Sequence, residues 1–285
     1  MKLIDRPPVI LESYEQVDEL YDWYDQHEPS RPLTRFGHAL FSHIFPMDIQ
    51  IQQKDEDSIV SLLENGTSLF LLPNHRNFLD QYLLASLAED YEPFHDLRGR
   101  TKILAKGPLF NPPLRRYGVD EMGSIPVIRM KDIAKPGEVV SEEKRALQQH
   151  GVKRANQTMA KNLDRGNHGV SYTEGERKEA SDPRVVQDLK NGIWDIYTEL
   201  DPHTNIAFVP LGAAYPRNEA AKKTGSKLDR TKDIGRFILA NRHPVLAIGE
   251  PIVQRFEDAD EMLSAFRRGM QLAVDHAFAV ADAKA

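Results

Sequence analysis

The stretch Asn74–Asp80 reads NHRNFLD and joins an apolar run, SLFLLP, to the sequence QYLLASLAE. It carries two side chains suited to moving protons, His75 and Asp80, five positions apart. On one continuous helix that spacing is a rotation of about 140°, so the two would not share a face. A break resolves the geometry. Asn77 is a good N-cap, which makes Asp80 the third helical residue and leaves His75 in the loop before it. A side chain there can fold back over the first turn and reach the Asp80 carboxylate. A carboxylate on one imidazole nitrogen fixes the tautomer and leaves the other nitrogen as a base. The pair brings no nucleophile of its own. It suits taking a proton from an external hydroxyl, which then attacks an acyl donor. Read in isolation, the stretch is equally a capping aspartate beside an ordinary loop histidine.

The elements that must position this pair follow from pattern. SLFLL (68–72) is a short, wholly apolar run, expected as a buried strand, and 78–89 reads as the helix after it. Further strands are expected at 101–105, within GSIPVIR (123–129) and HGVSYTEG, and at 205–211 and 244–248, while 48–52 alternates only weakly. Helices are expected over 11–28, 58–64, 153–164, from Pro183 to about Leu200, and over 259–279. Residues 131–150, with the charge run SEEKR, read as a polar surface excursion. Strands alternating with helices give an α/β fold: a mixed central sheet flanked by helices on both sides, with a short helical N-terminal segment. The expected division is a helical segment, 1–52, and an α/β domain, 53–285.

Within 1–52, Leu33, Phe36, Leu40, Phe41, Ile44 and Phe45 fall at helical spacing on one side. Such a stripe is either a core face or an interfacial helix that dips its aromatics into lipid. His38 and His43 on the same stretch read as ordinary polar positions. His95 and His168 fall in polar loops with no evident partner.

The 285 residues suffice for a substantial core, and their composition is that of an ordinary globular protein: 40% apolar, 28% charged. A net charge of −6 argues against a general nucleic-acid binder. One run departs from that balance: Arg98–Gly118 holds six Lys or Arg and no acid. It suits an anionic ligand or membrane surface, or is a solvated face balanced by other segments. The absence of cysteine removes disulfides, Cys-ligated zinc and thiol catalysis, and is compatible with a reducing cytoplasm. No His-x3-His or His-Glu-x-x-His spacing occurs, so no metal is expected. There is no Gly-x-Ser-x-Gly elbow, Walker loop or Gly-x-Gly-x-x-Gly. Neither a signal peptide nor an apolar run of spanning length is present, so any membrane contact is expected at the surface.

NHRNFLD resembles the first block of the glycerolipid acyltransferases, the family of lysophosphatidic acid acyltransferase, whose signature is Asn-His, four residues, then Asp. The resemblance continues in the family's order. AKGPLF (105–110) with GSIPVIR is similar to the second block, SYTEGER (171–177) to the third, FVPLG (208–212) to the fourth, and IGEPI (248–252) to a later strand. There are departures. Asn77 stands where a serine is usual, Tyr172-Thr173 replaces Phe-Pro, Ile128 replaces an Asp, and Glu176 and Lys178 flank Arg177.

The resemblance implies an O-acyltransferase of phospholipid biosynthesis, cytoplasmic and peripherally membrane-associated. In it His75, oriented by Asp80, deprotonates an acceptor hydroxyl that attacks the thioester of acyl-CoA or acyl-ACP, and no cofactor is held. The favoured acceptor is 1-acylglycerol-3-phosphate; glycerol-3-phosphate or a lysophospholipid are alternatives. A hydrolase, or a lipid-binding relative without catalysis, are rival readings. Arg177 is placed to fork onto the acceptor phosphate, with Gly175 permitting close backbone approach and Glu174 orienting Arg177 or a hydroxyl. Arg129, Arg76 and Lys106 are further phosphate candidates. Val209 and Pro210 either shape the pocket wall or simply end a core strand.

Overall fold

The structure, a computed structural model, describes residues 6–9, 12–44, 46–76, 80–111, 113–133, 139–175, 182–216 and 243–284. Its centre is a seven-stranded sheet in the order β1-β7-β6-β2-β5-β3-β4. The strands are β1 Asp48–Ile51, β2 Ser68–Pro73, β3 Thr101–Lys106, β4 Ser124–Val127, β5 His168–Val170, β6 Ile206–Ala214 and β7 Val245–Ile248. Five strands, β6 to β4, run parallel, and β7 joins β6 antiparallel with β1 beside it.

The continuous apolar run read at 68–72 is β2, the middle strand, with all six positions buried. Its side chains alternate between two cores, as a strand buried on both faces requires. Phe70 and Leu72 join the core built by α1 (Tyr14–Gln26), α7 (Glu142–Asp164), α8 (Gly192–Thr198) and α9 (Ala259–Lys284). Leu69 and Leu71 join the other, with Ile59 of α3 (Gln53–Glu64) and Leu83 and Leu87 of α4 (Asp80–Asp90). The expected mixed sheet with helices on both sides is what forms. β1, within 1–52, pairs with β7, and α1 buries Val17, Leu20, Tyr21 and Tyr24.

Two expected elements differ. The polar stretch 131–150 is largely helix, since α7 begins at Glu142. Ser141 is its N-cap, accepting from the Lys144 N–H, and Glu142 and Glu143 occupy the first turn, where the helix dipole favours acids. The charge run was a helix start. Conversely, the helix expected from Pro183 is confined to α8. Before it the chain gives its N–H groups to distant acceptors: Val186 to Gln271 Oε1, Gln187 to Glu174 Oε1 and Lys190 to the Thr173 carbonyl. Those bonds replace the helical ones.

The amphipathic stretch forms α2 (Arg31–Ile44), but with its apolar stripe outward. Leu33, Phe36, Leu40 and Ile44 are exposed, Phe36 at 67%, while Thr34 and His38 are buried. Phe41 is half-buried against the α4 side, and Phe45 lies outside the described residues. His38 is therefore not an ordinary surface position. The basic run is not an open patch either. Lys102 is buried, donates to the His27 carbonyl at 2.8 Å and has its pKa pulled down by burial to about 8. Arg116 faces Asp120, Arg98 faces Glu89, and Arg100 faces Asp96. Four of the six cations are thus held within the fold, and Lys106 and Arg115 are exposed.

Candidate active site

The parallel strands β6, β2 and β5 end side by side, and from the neighbouring ends of β6 and β2 the chain leaves in opposite directions, toward β7 and toward β3. The crevice beyond the carboxyl ends of strands at such a switch point is where open α/β sheets place ligands. Asn74, the first residue past β2, keeps the edge in order. Its Oδ1 accepts from the Ala213 N–H at 2.8 Å, and its Nδ2 donates to the Ala213 carbonyl at 3.3 Å. The amide side chain thus extends the ladder one step beyond Pro73.

His75 and Asp80 meet as the sequence led us to expect. His75 Nδ1 lies 2.8 Å from Asp80 Oδ2. A carboxylate can only accept, so Nδ1 carries a proton, and in the neutral imidazole Nε2 is then the nitrogen with the lone pair. No hydrogen bond to Nε2 occurs among the described residues, and the imidazole is 21% exposed. Asp80 Oδ2 also accepts from the Arg76 N–H at 2.7 Å, and its Oδ1 accepts from the Tyr215 hydroxyl at 2.5 Å. These donors compensate the cost of burying the carboxylate, which is 2% exposed. The expected cap, Asn77, lies outside the described residues; α4 is described from Asp80.

The block after β5 wraps the other side of the histidine. Tyr172–Gly175 closes a turn through the Gly175 N–H to the Tyr172 carbonyl. Gly175 sits at φ +78, a left-handed conformation that favours glycine, and a Cβ there would crowd the Lys190 side chain at 3.0 Å. The Tyr172 ring packs on the His75 imidazole, centroids 4.3 Å apart. Glu174 is buried, and its carboxylate bridges two backbone N–H groups, His75 at 2.6 Å and Gln187 at 2.7 Å. It holds the histidine loop and the 182–190 strap together. Arg76 reinforces the same strap, donating to the carbonyls of Asp182 and Val185.

Arg129 and Lys106 lie at the carboxyl ends of their strands. Arg129, just past β4, forks onto Asp132 through Nε at 3.0 Å and Nη2 at 2.9 Å. Lys106 is the exposed last residue of β3. Arg177 lies outside the described residues. Val209 and Pro210 are buried within β6, so the core-strand reading holds for them. Gly212 explains part of the fourth block: a Cβ there would lie 2.2 Å from the Ala273 backbone, so only glycine lets α9 pack against β6. Among the described residues no three His, Asp or Glu gather as metal ligands.

Sequence reasoning missed Tyr172 and Tyr215. Tyr172 was visible as a departure from Phe-Pro, an aromatic still beside the histidine. Tyr215 carried one signal, its place directly after an apolar strand. No curated protein matches the chain. The family model for acyltransferases matches residues 52–213, more than half of the sequence, and the protein belongs to that family, the glycerolipid acyltransferases.

Proposed function

We propose that this acyltransferase moves a fatty acyl group from acyl-CoA or acyl-ACP to a hydroxyl of a glycerol-phosphate lipid, with 1-acylglycerol-3-phosphate the favoured acceptor. The observation that carries the reading is the His75–Asp80 pair: one imidazole nitrogen is bound to a buried carboxylate, and the other has no hydrogen-bond partner among the described residues. Nε2 takes the acceptor's hydroxyl proton as its oxygen attacks the thioester carbonyl. The tetrahedral intermediate collapses, the C–S bond breaks, and the imidazolium returns the proton to the departing thiolate. No acyl-enzyme forms.

The dianionic acceptor is met by cations at this end of the sheet. Lys106 and Arg177 are placed for it by sequence position, and a phosphate at Arg129 would compete with Asp132. Arg76 and Glu174 support the loop instead, because their bonds go to backbone groups. The test is thiol release from palmitoyl-CoA and from palmitoyl-ACP by the protein on liposomes, with no acceptor, glycerol-3-phosphate, lysophosphatidic acid or lysophosphatidylcholine. Release that needs lysophosphatidic acid and His75 supports the reading. A requirement for another acceptor replaces the substrate, and release without acceptor replaces transfer with hydrolysis.

The same reading makes the protein peripheral, working from the cytoplasmic surface of a membrane that supplies its acceptor and receives its product. No helix among the described residues is long and apolar enough to cross a bilayer. The support is α2, whose exposed Leu33, Phe36, Leu40 and Ile44 stand on a helix with exposed Arg31 and Arg35 and no acid. Apolar side chains with flanking cations suit an anionic lipid surface. Phe36→Asp is expected to reduce sedimentation with anionic liposomes at least severalfold, with an unchanged melting temperature. Undiminished sedimentation would remove α2 from the membrane face.

A further inference from the structure

We infer that Tyr215 is a positioning residue for acyl transfer: its hydroxyl fixes the Asp80 carboxylate in the orientation that presents His75 as a base. The inference rests on the acyl-transfer reading of the His75–Asp80 pair. The observations come from three elements. Tyr215 follows β6 directly, is 3% exposed, and donates to Asp80 Oδ1 at 2.5 Å. Asp80 opens the helix after β2 and turns its other oxygen, Oδ2, to His75 Nδ1 and the Arg76 N–H. Asn74, six residues before Asp80, clamps both backbone groups of Ala213, which lies two residues before Tyr215. The clamp sets the end of β6 against the end of β2, and the phenol comes to the carboxylate as a consequence.

The chemistry follows from geometry. Aspartate has one freely turning bond next to its carboxylate, and rotation about it carries Oδ2 away from Nδ1. A donor on Oδ1 opposes that rotation, as outer partners do for ligands that must stay oriented. When His75 takes a proton from the acceptor, the imidazolium is stabilised by a carboxylate already aimed at it, and no reorganisation is needed at that moment. The effect of Tyr215 passes through Asp80, so its loss acts on turnover and not on binding.

Tyr215→Phe keeps the ring in the buried core it shares with Leu83, Val209 and Leu211 and removes only the hydroxyl. Three measurements on the full chain test it: kcat and KM for the acceptor, the melting temperature, and the 15N resonances of His75 in histidine-labelled protein. A fall in kcat of about tenfold is expected, the kinetic equivalent of one hydrogen bond to a charged group, with KM unchanged. The His75 spectrum should lose part of its Nδ1–H tautomer. An unchanged kcat, a change confined to KM, or an unaltered His75 spectrum would each overturn the inference. Should the variant fail to fold, 3-fluorotyrosine at 215 keeps the hydroxyl and alters its donor strength. A shifted His75 Nδ1–H signal then supports the inference, and an unmoved one overturns it. The spectra need no turnover. A wild type inactive with every acceptor would sink acyl transfer while the His75 resonances still decide whether Tyr215 sets the pair.

Discussion

Two histidine–aspartate pairs sit at opposite ends of the same sheet, and the protein treats them differently. At the carboxyl end, His75 gives Nδ1 to Asp80 and leaves Nε2 without a protein partner among the described residues. At the amino end, His168 uses both nitrogens. Its Nδ1 accepts from the Leu69 N–H at 3.0 Å, so Nε2 carries the proton and donates to Asp96 at 3.2 Å. That bond from His168, with Arg100 beside it, holds the Asp96 carboxyl down to about 2. His168 is 1% exposed, whereas a fifth of His75 meets solvent. A histidine whose two nitrogens are consumed by the fold is a staple between strands. One with a nitrogen left over can serve a ligand. The carboxylate partner, common to both, does not separate them.

The largest expected effect breaks the comparison at its functional end. His75→Ala should cost on the order of 10²–10⁴-fold in acyl transfer while the melting temperature stays near wild type. A variant that kept its turnover would show that the free nitrogen is not the base. His168→Ala should give the reverse pattern. It leaves the Leu69 N–H without its acceptor in the middle strand and opens a void, so a loss of about 2–4 kcal/mol is expected in denaturant unfolding. The kcat of the remaining folded protein should be unchanged. If His168→Ala instead lowered kcat at full stability, the division between staple and base would be wrong.

How much of this was legible follows from which interactions are local. Six of the seven strands were readable, most clearly where a strand buried on both faces writes its demand into a short apolar run such as SLFLL, whereas β1, DIQI, alternates only weakly. The His75–Asp80 pair was readable because the loop and the first helical turn that join it lie within a few residues. His168 was not, since its partners Leu69 and Asp96 are remote in sequence. Tyr215 was hidden for the same reason, being brought to Asp80 only by strand order. The 182–190 stretch carries a helical stripe, yet Glu174 and Gln271 capture its N–H groups. Tertiary acceptors outcompete propensity there. For α2 the pattern gave the helix and its stripe but not which face turned inward, since helical periodicity carries no such sign.

His38 sharpens the comparison from a third side, as a buried histidine that no described carboxylate meets. Burial, helped by the nearby charge of Arg98, pushes its pKa down to about 4 from 6.5. The folded protein therefore keeps this ring neutral where the unfolded chain would protonate it. Stability from this group is full above pH 6.5 and drains as pH falls toward 4, because the unfolded state then binds the extra proton. Between pH 7 and pH 5 the loss is on the order of 1 kcal/mol. His38→Leu removes the titration, so the gap in unfolding free energy between variant and wild type should move in the variant's favour over that range. Replacing His168 instead strips the Leu69 N–H of its acceptor and should already destabilise the protein at pH 7. Parallel denaturant curves for the two variants at pH 7 and pH 5 would make the distinction. A gap for His38→Leu that did not change with pH would mean that the ring is reached by water or by a carboxylate, and that α2 does not hold its inner face closed.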